Sequence, residues 1–192
     1  MHTLQVFLTS TRPGRAGEPI SLWFLEHARA HGNFEVTLVD LEAVALPMMD
    51  EPHHPRLRQY EHEHTKAWSA TVNAADAFVF VLPEYNYSMP PAFVNALDFL
   101  LHEWAYKPVG IVSYGGVSAG LRSAQQAKQL ITALRMMPLP DAVSIPMYQQ
   151  FMDEQRNFLG NDILNTSIVT MLDELERWTG ALAPLRAPVH RR

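Results

Sequence analysis

Short runs of hydrophobic residues alternate along the chain with longer segments in which hydrophobic positions recur every three or four residues. The runs are typical of β-strands, and the spaced positions are typical of amphipathic helices. The clearest run has six apolar residues in a row, which indicates a strand buried on both faces in the middle of a parallel sheet. The predicted strands are Leu4–Leu8, Phe34–Val39, Ala77–Leu82, Lys107–Ser113 and Ala142–Ile145.

The segments between the predicted strands carry helical patterns. Pro19 falls in the first turn of the first helix, where the N–H group that proline lacks would have no intrahelical partner. The helix after the central strand has one apolar face, made of Phe93, Leu97, Leu100, Leu101 and Trp104. The other predicted helices are Glu18–Ala30, Arg56–Ala75, Ser118–Met136 and Asp162–Trp178, and Asp40–Pro55 is expected to be irregular.

This alternation predicts an α/β fold with a doubly wound parallel sheet. Residues 1–192 contain no repeat and no linker, and we interpret them as one domain. The predicted architecture is a flavodoxin-like three-layer sandwich with five parallel strands in the order 2-1-3-4-5. Right-handed crossovers place every βα loop at one edge of the sheet, so the loops after strands 1, 3 and 4 converge on one crevice.

Composition and charge narrow the class of protein. The chain is 47% hydrophobic and 18% charged, and its 15 Lys and Arg against 20 Asp and Glu give a net charge of −5, which argues against a nucleic-acid partner. Absence of cysteine excludes disulfides, thiol nucleophiles and cysteine-ligated clusters.

No apolar run approaches the length of about 18 residues that spans a membrane. The start lacks the pattern of a signal peptide, so we expect a cytoplasmic protein. Arg186, Arg191 and Arg192 are interpreted as part of a frayed tail.

Loop 1, residues 9–18, leads from the first strand into the first helix. Its hydroxyl groups, the guanidinium groups of Arg12 and Arg15, and the free N–H groups of the helix start are components of a phosphate site. The loop lacks the Gly-Lys-Ser/Thr ending of a nucleotide-triphosphate loop, and the chain has no Gly-x-Gly-x-x-Gly fingerprint. A single phosphate monoester therefore fits better than ATP or tightly held NAD. The alternative is a solvated basic loop.

Loop 3, residues 83–91, follows the central strand and contains three prolines, which make it stiff. Its Tyr and Asn side chains suit a flat heteroaromatic ring, because one packs against the ring and the other hydrogen-bonds to it. The carboxyl end of a central parallel strand is also where open α/β sheets bind ligands. The alternative is an ordinary βα loop that carries turn residues.

Loop 4, residues 113–120, contains the glycine pair Gly115 and Gly116. Paired glycines let the backbone approach a ligand closely, and their N–H groups can hydrogen-bond to carbonyl oxygens. The alternative is a tight turn in which Ser118 caps the next helix. Taken together, the three loops suit a phosphate, a flat ring and a ring edge rich in carbonyl groups, and FMN carries these parts in that order.

The three loops resemble the motifs of the NADPH-dependent FMN reductase family, the flavodoxin-like quinone, azo and chromate reductases. The family pattern is Gly-Ser-x-Arg in the first loop, Pro-Glu-Tyr-Asn in the third and Ser-Tyr-Gly-Gly in the fourth. The corresponding residues here are 9–12, 83–86 and 113–116. The similarity covers nearly the whole chain, including residues 95–98 and 107–110.

The resemblance implies that loop 1 holds the FMN phosphate, loop 3 lines the isoalloxazine ring and loop 4 closes its other edge. The expected cofactor-binding residues are Ser10, Arg12, Arg15, Ala16, Gly17, Glu18, Pro83, Glu84, Tyr85, Asn86, Ser113, Tyr114, Gly115 and Gly116. Thr9 stands where the family usually has Gly, which could crowd the phosphate loop. Pro91 and Val94 stand where Gly and Lys are common, and these two departures bear on substrate preference.

By the same resemblance, NADPH or NADH is the transient hydride donor, and a small-molecule electron acceptor such as a quinone, free flavin, azo dye or metal oxyanion takes the electrons. No catalytic side chain is expected, because the flavin supplies the chemistry. The family also implies a homodimer or a dimer of dimers, to which Tyr87, Trp104 and Tyr106 could contribute. The alternative function is a flavodoxin-like electron carrier, or an FMN-binding redox partner or sensor, without NAD(P)H turnover.

A group of histidines and carboxylates lies between residues 53 and 64. On a helix, His62 and His64 would point to roughly opposite faces, while Glu61 and His64 would share one. We therefore expect no metal site in this segment, with His64 packed and its neighbours solvated.

Overall fold

The computed structural model describes residues 1–186 and contains a parallel sheet between two layers of helices. The strands are β1 (His2–Leu8), β2 (Phe34–Asp40), β3 (Ala77–Pro83), β4 (Pro108–Tyr114), β5 (Met137–Pro138) and β6 (Val143–Ile145). The helices are α1 (Gly17–His31), α2 (Leu41–Val44), α3 (Glu63–Asn73), α4 (Pro91–Asp98), α5 (Leu121–Ala133) and α6 (Asp162–Arg186), with 3-10 turns at Pro55–Leu57 and Tyr148–Phe151. The strand order β2-β1-β3-β4-β5 confirms the predicted flavodoxin-like architecture.

The fifth position of the sheet is split between two short strands, where one strand was predicted. β5 pairs with the beginning of β4 and β6 pairs with its end. Pro138 and Pro140 lie in and just after β5. Each removes a backbone donor, and proline is tolerated in a sheet only at such an edge.

The two faces of the central strand supply two separate hydrophobic cores. Val79 and Val81 pack with residues of α1 and α6, whereas Phe78 and Phe80 pack with residues of α3, α4 and α5. All seven residues of β3 are buried, which confirms the prediction from its apolar run. Phe7 of β1 meets Phe80 edge to face, with ring centroids 5.3 Å apart.

The helix predicted over Arg56–Ala75 is shorter in the structure: a 3-10 turn at Pro55–Leu57 is followed by irregular chain, and α3 covers only Glu63–Asn73. Arg58 adopts a left-handed conformation with φ 52°, which ends the 3-10 turn. The carboxylate of Glu51 then accepts the backbone N–H groups of Glu61 and His62, and α3 begins at the next residue. Leu57, which falls within the predicted helix, is 51% exposed.

The geometry of His62 and His64 also differs from the prediction. His62 has extended backbone at the start of α3 rather than helical backbone, so its ring stacks on that of His64 with centroids 5.1 Å apart. His64 also contacts Asp50 (Nε2 to Oδ1, 2.9 Å). Within residues 1–186, no group of three or more His, Asp and Glu side chains is arranged to hold a metal ion.

Other helix boundaries also differ from the predicted ones. α4 ends at Asp98, and Trp104 is buried in the turns that follow, where its indole N–H donates to the carbonyl of Leu97. α5 begins after Gly120, which is its N-cap residue, so the alternative in which Ser118 caps this helix is wrong.

The last helix extends to Arg186, beyond the predicted end. The Arg186 guanidinium donates to Asp76 Oδ1 at 2.9 Å, so this residue is not frayed. Arg191 and Arg192 lie outside the described residues. None of the helices in the described part of the chain is long and apolar enough to cross a membrane.

Candidate functional site

Three neighbouring strands end together at one edge of the sheet. Leu8 of β1 is in register with Val81, and Pro83 of β3 is in register with Tyr114 of β4. Loops 1, 3 and 4 therefore meet there and enclose a cavity of about 280 Å³. This volume is near the lower limit of about 300 Å³ that is usual for ligand pockets. The cavity is lined by Arg12, Pro13, Gly14, Arg15, Ala16, Pro83, Glu84, Tyr85, Tyr114, Gly115, Gly116 and Tyr148.

Arg15 in loop 1 is held by an acidic residue at the end of β2 and another in α2. Its guanidinium makes a bidentate contact with Asp40 at 2.7 and 2.5 Å and lies 3.0 Å from Glu42. It also donates to the backbone carbonyl of Ser10 at 2.7 Å. The hydrogen bond with Asp40 raises the pKa of Arg15, against the effect of burial. Arg15 thus fixes the shape of loop 1, and its charge is largely neutralised.

The charge of Arg12, unlike that of Arg15, is not neutralised by a carboxylate within residues 1–186. Its side chain is exposed at the cavity, and it forms no ion pair within residues 1–186. The nearby start of α1 has Ala16 as its capping residue, without a side-chain hydrogen bond to the N–H groups of the first turn. Unsatisfied N–H groups carry partial positive charge. Arg12 and the start of α1 therefore make this end of the cavity attractive to an anion.

Ser10 and Gly17 do not line the cavity but pack tightly against Tyr114, which does. The Tyr114 hydroxyl donates to Ser10 Oγ at 3.3 Å. A Cβ atom at Gly17 would lie 2.4 Å from Ser10 Oγ and 2.6 Å from the Tyr114 hydroxyl, far inside van der Waals contact. Burial raises the pKa of Tyr114, so its hydroxyl stays protonated and can donate. These contacts tie loop 1 to the end of β4.

Thr9 adopts a conformation that leaves the cavity open. Its hydroxyl is buried and donates to the Val81 carbonyl at 2.6 Å, which ties loop 1 to β3. Thr9 is absent from the cavity lining. The expected crowding by this residue therefore does not arise, because its side chain is directed toward the sheet.

Loop 3 contains a tight two-residue turn beside the cavity. Tyr85 and Ser88 exchange backbone hydrogen bonds of 2.9 Å, and Asn86 and Tyr87 between them have φ of 50° and 69°. Two consecutive positive φ values are the signature of a type I′ turn, which favours Asn at its first central position. The exposed Tyr87 ring stacks under the Arg122 guanidinium, 3.9 Å from its centroid.

Glu84 directs its carboxylate away from the cavity and toward α5. Oε2 accepts hydrogen bonds from the Ser118 hydroxyl at 2.9 Å and from the backbone N–H of Arg122 at 3.2 Å. Oε1 pairs with the Arg122 guanidinium at 2.5 Å. Burial opposes ionisation, but these hydrogen bonds outweigh it and lower the pKa of Glu84 below its ordinary value. Ser118 thus links loops 3 and 4.

The glycines of loop 4 differ in their surroundings. Gly115 donates its N–H to the Ile145 carbonyl at 3.3 Å, and a Cβ there would meet the Gly120 backbone at 3.0 Å. A Cβ at Gly116 would meet nothing within 4 Å, and Gly116 is among the residues that line the cavity. Ser113 is buried, and its hydroxyl has no hydrogen-bond partner among the residues described.

Nine of the predicted site residues line the cavity. The other five predicted residues do not line it: Ser10, Gly17, Glu18, Asn86 and Ser113. Three lining residues, Pro13, Gly14 and Tyr148, were not predicted. Tyr148 meets Tyr114 edge to face at 5.6 Å. Tyr148 lies three positions after the end of the predicted fifth strand, which was the available signal. It was missed because only the loops after strands 1, 3 and 4 were expected to reach the crevice.

The chain matches a known protein family. The model of the family described as NADPH-dependent FMN reductase matches residues 3–150. An NAD(P)H-dependent FMN reductase of Schizosaccharomyces pombe is 41% identical over 145 residues, which are 73% of this chain and 72% of the relative. An NADPH:quinone oxidoreductase of Arabidopsis thaliana is 37% identical over 68 residues, which are 34% of this chain and 35% of the relative.

Solved structures share the fold. The flavoenzyme FerB of Paracoccus denitrificans, an NAD(P)H:(acceptor) oxidoreductase, superposes with a TM-score of 0.74 at 18% identity, over 94% of this chain and 98% of that one. At this level of identity, the likeness establishes a common architecture.

Proposed function

Because the chain belongs to the NADPH-dependent FMN reductase family, it is an FMN-dependent NAD(P)H oxidoreductase, and we propose that loops 1, 3 and 4 form its FMN site. The convergence of these loops on one cavity is the observation that carries the proposal. The cavity lies at the carboxyl edge between β1, β3 and β4, where the strand order reverses, and doubly wound sheets bind ligands at such a point.

The phosphate end of FMN fits the start of α1. Here we propose that the N–H groups of Ala16, Gly17 and Glu18 and the Arg12 guanidinium bind the phosphate, with Ser10 supporting the loop from behind. The uncapped first turn of α1 and the absence of an ion pair at Arg12 within residues 1–186 support this assignment. Arg15 instead stabilises the shape of loop 1, since its guanidinium is paired with Asp40 and Glu42.

The isoalloxazine ring fits the opposite end. We propose that Pro83, Tyr85 and the backbone of Glu84 line one edge, with Asn86 in the adjoining turn. Tyr114, Gly115 and Gly116 close the other edge, and Ser113 supports them from β4. The open space beside Gly116 leaves room for a planar ring, and Tyr148 adds an aromatic wall.

Bound FMN supplies the redox chemistry by accepting hydride from reduced nicotinamide and passing electrons to an acceptor. The protein contributes position and polarity. Glu84 is held in ion pairing with Arg122, and the Tyr114 proton is held against Ser10, so neither is free to exchange a proton with a substrate. The N–H groups around Gly116 are the donors that can face negative charge on a reduced ring. A quinone or a similar small molecule is the acceptor that the quinone oxidoreductase relatives suggest.

Steady-state kinetics test the proposed turnover against the electron-carrier alternative. We expect the FMN-loaded protein to oxidise NADPH or NADH only when a quinone is present or oxygen slowly reoxidises the flavin. Parallel double-reciprocal lines are expected, because the nicotinamide leaves before the acceptor binds. A carrier or sensor would bind FMN yet show no nicotinamide oxidation above that of free FMN.

The Arg12→Gln variant tests the phosphate assignment. Removing one charge-assisted contact of about 1.5–3 kcal/mol should raise the Kd for FMN by about 10- to 100-fold. The Kd follows from quenching of flavin fluorescence on titration. An unchanged Kd in Arg12→Gln would exclude this side chain from the phosphate site, and Arg29→Gln at the far end of α1 is the matched control.

We further propose that the chain acts as a homodimer or a dimer of dimers, in the cytoplasm, with residues 1–192 as one FMN-binding domain. Tyr87, which is 65% exposed, is available for a subunit interface, whereas Trp104 is fully buried in its own subunit and is not. Light scattering coupled to size-exclusion chromatography tests the assembly, and a mass of one chain at micromolar concentration would overturn it.

A further inference from the structure

Arg156 contacts the phosphate loop from a part of the chain that lies beyond the family match at residues 3–150. Its Nη2 donates to the carbonyl oxygen of Gly14 at 2.8 Å. We propose that Arg156 is a positioning residue for the FMN phosphate, which it affects by fixing the turn of loop 1 and by adding positive charge. This inference rests on the proposed function, since it assumes that loop 1 binds a phosphate.

The contact falls on the turn that shapes loop 1. The Arg15 N–H donates to the Arg12 carbonyl at 3.1 Å, which closes a turn with Pro13 and Gly14 at its centre. Gly14 has φ of 69°, and proline followed by a residue with positive φ is the pattern of a type II turn. Arg12 and Arg15 flank this turn, so its orientation sets where both side chains begin.

Arg156 is itself held in place by a tight hairpin. Met152 and Phe158 form an antiparallel bridge, and Asp153 accepts hydrogen bonds from the backbone N–H (2.7 Å) and side-chain amide (2.9 Å) of Asn157. Arg156 has φ of 66°, an uncommon conformation for a residue with a side chain, and its N–H donates to the Asp153 carbonyl. Such strain persists where the surrounding contacts determine the conformation.

The hairpin is anchored on the helix that faces the phosphate. Phe158 packs against Trp23 of α1, with ring centroids 4.8 Å apart. The backbone of Gly160 packs directly against the same indole. A Cβ at this position would lie 2.9 Å from three of the ring atoms, so only glycine fits without a shift. The hairpin and α1 therefore form one packed unit, and Arg156 joins the turn of loop 1 to it.

The charge balance at loop 1 gives Arg156 a second effect. Arg15 is neutralised by Asp40 and Glu42, whereas neither Arg12 nor Arg156 has a carboxylate partner in the described part of the chain. Arg156 is exposed, so its field is screened by salt. Its contribution to anion binding should accordingly be larger at low ionic strength.

Titrations with FMN and riboflavin test the inference, because riboflavin has the same ring and no phosphate. In Arg156→Gln we expect the Kd for FMN to rise about two- to fivefold and the Kd for riboflavin to stay unchanged. The increase in the FMN Kd should shrink at high salt, and Arg156→Lys should recover part of the affinity through its charge. Asn157→Ala, which removes a side-chain hydrogen bond of the hairpin turn without changing the charge, should weaken FMN binding in the same selective way.

Two results would overturn the inference. An unchanged FMN Kd in Arg156→Gln would show that the contact with Gly14 has no effect on the phosphate site. Equal weakening of FMN and riboflavin would show a general structural effect. Failure of the wild-type chain to bind FMN would instead reject the proposed function, so the two failures are distinguishable. Arg29→Gln is the control for loss of one positive charge.

Discussion

The Gly17→Ala variant is expected to lose most of its affinity for FMN, with a Kd about 100-fold above that of the wild type. The added Cβ would lie 2.4 Å from Ser10 Oγ, 2.6 Å from the Tyr114 hydroxyl and 2.8 Å from a methyl group of Leu8. Overpacking of this kind costs about 1–3 kcal/mol, and about 1.4 kcal/mol corresponds to a tenfold change in affinity. The least costly relief is a shift of loop 1 or of the start of α1, and both carry the proposed phosphate site.

A double variant separates this effect from general unfolding. Tyr114→Phe removes one of the three clashing atoms, so Gly17→Ala with Tyr114→Phe should recover part of the FMN affinity that Gly17→Ala alone loses. Gly180→Ala in α6 is the matched control, since a Cβ there meets nothing within 4 Å. Wild-type FMN affinity in Gly17→Ala, measured by flavin fluorescence quenching, would contradict the close packing of Ser10, Gly17 and Tyr114.

Lys107 should give the folded protein an unusual dependence of stability on pH. Only 4% of this residue is exposed, and its Nζ donates to the Val72 carbonyl at 2.8 Å near the end of α3. The ammonium also lies 5.3 Å from the centroid of the Phe78 ring. Burial, assisted by the positive charge of Arg186, lowers the pKa of Lys107 to about 8.

The sign of the effect follows from proton binding. Between a folded pKa of about 8 and the unfolded value of about 10.5, the unfolded chain holds more protons at Lys107 than the folded chain. The free energy of unfolding therefore rises with pH in this window, by about 2 kcal/mol from about pH 7.5 to about pH 9.5. Buried tyrosines with raised pKa values act in the opposite direction only above about pH 10, where free tyrosine ionises.

Urea unfolding across this pH range measures the effect. Lys107→Met should remove the rise in stability, whereas Lys128→Met on α5 should retain it. Lys107→Met also removes the hydrogen bond to Val72, which changes the free energy of unfolding at every pH. The comparison therefore uses the slope of this free energy with pH and not its value at neutral pH. A wild-type unfolding free energy that is flat from about pH 7.5 to about pH 9.5, or an equal slope in Lys107→Met, would contradict the lowered pKa.

The fold was predictable from the sequence because its strongest signals are local. The apolar run of β3 identified the central strand, and the alternation of strands and helices led to the correct strand order. Helix ends were less predictable, since they depend on partners distant in sequence. α3 begins where the Glu51 carboxylate accepts two backbone N–H groups, and α5 begins after Gly120 because Ser118 is bound to Glu84.

In the candidate site, too, features set by local sequence were predictable and features set by distant partners were not. The convergence of loops 1, 3 and 4 was predicted from the strand order, and nine of the predicted residues line the cavity. The directions of side chains did not follow, because tertiary partners decide them. Arg15 is turned toward Asp40 at the end of β2, and Glu84 toward Arg122 of α5. Arg156 reaches loop 1 from 142 positions away, where no local pattern could have indicated it.

Anaerobic absorbance spectroscopy of the purified protein tests the central claim most directly. The chain is titrated with FMN and then with NADPH or NADH, and the visible flavin absorbance is recorded. We predict one FMN bound per chain and loss of that absorbance on addition of the reduced nicotinamide, since bound flavin accepts its hydride. A chain that binds no FMN, or that binds FMN and retains its oxidised spectrum with both nicotinamides, would contradict an FMN-dependent NAD(P)H oxidoreductase built on these three loops.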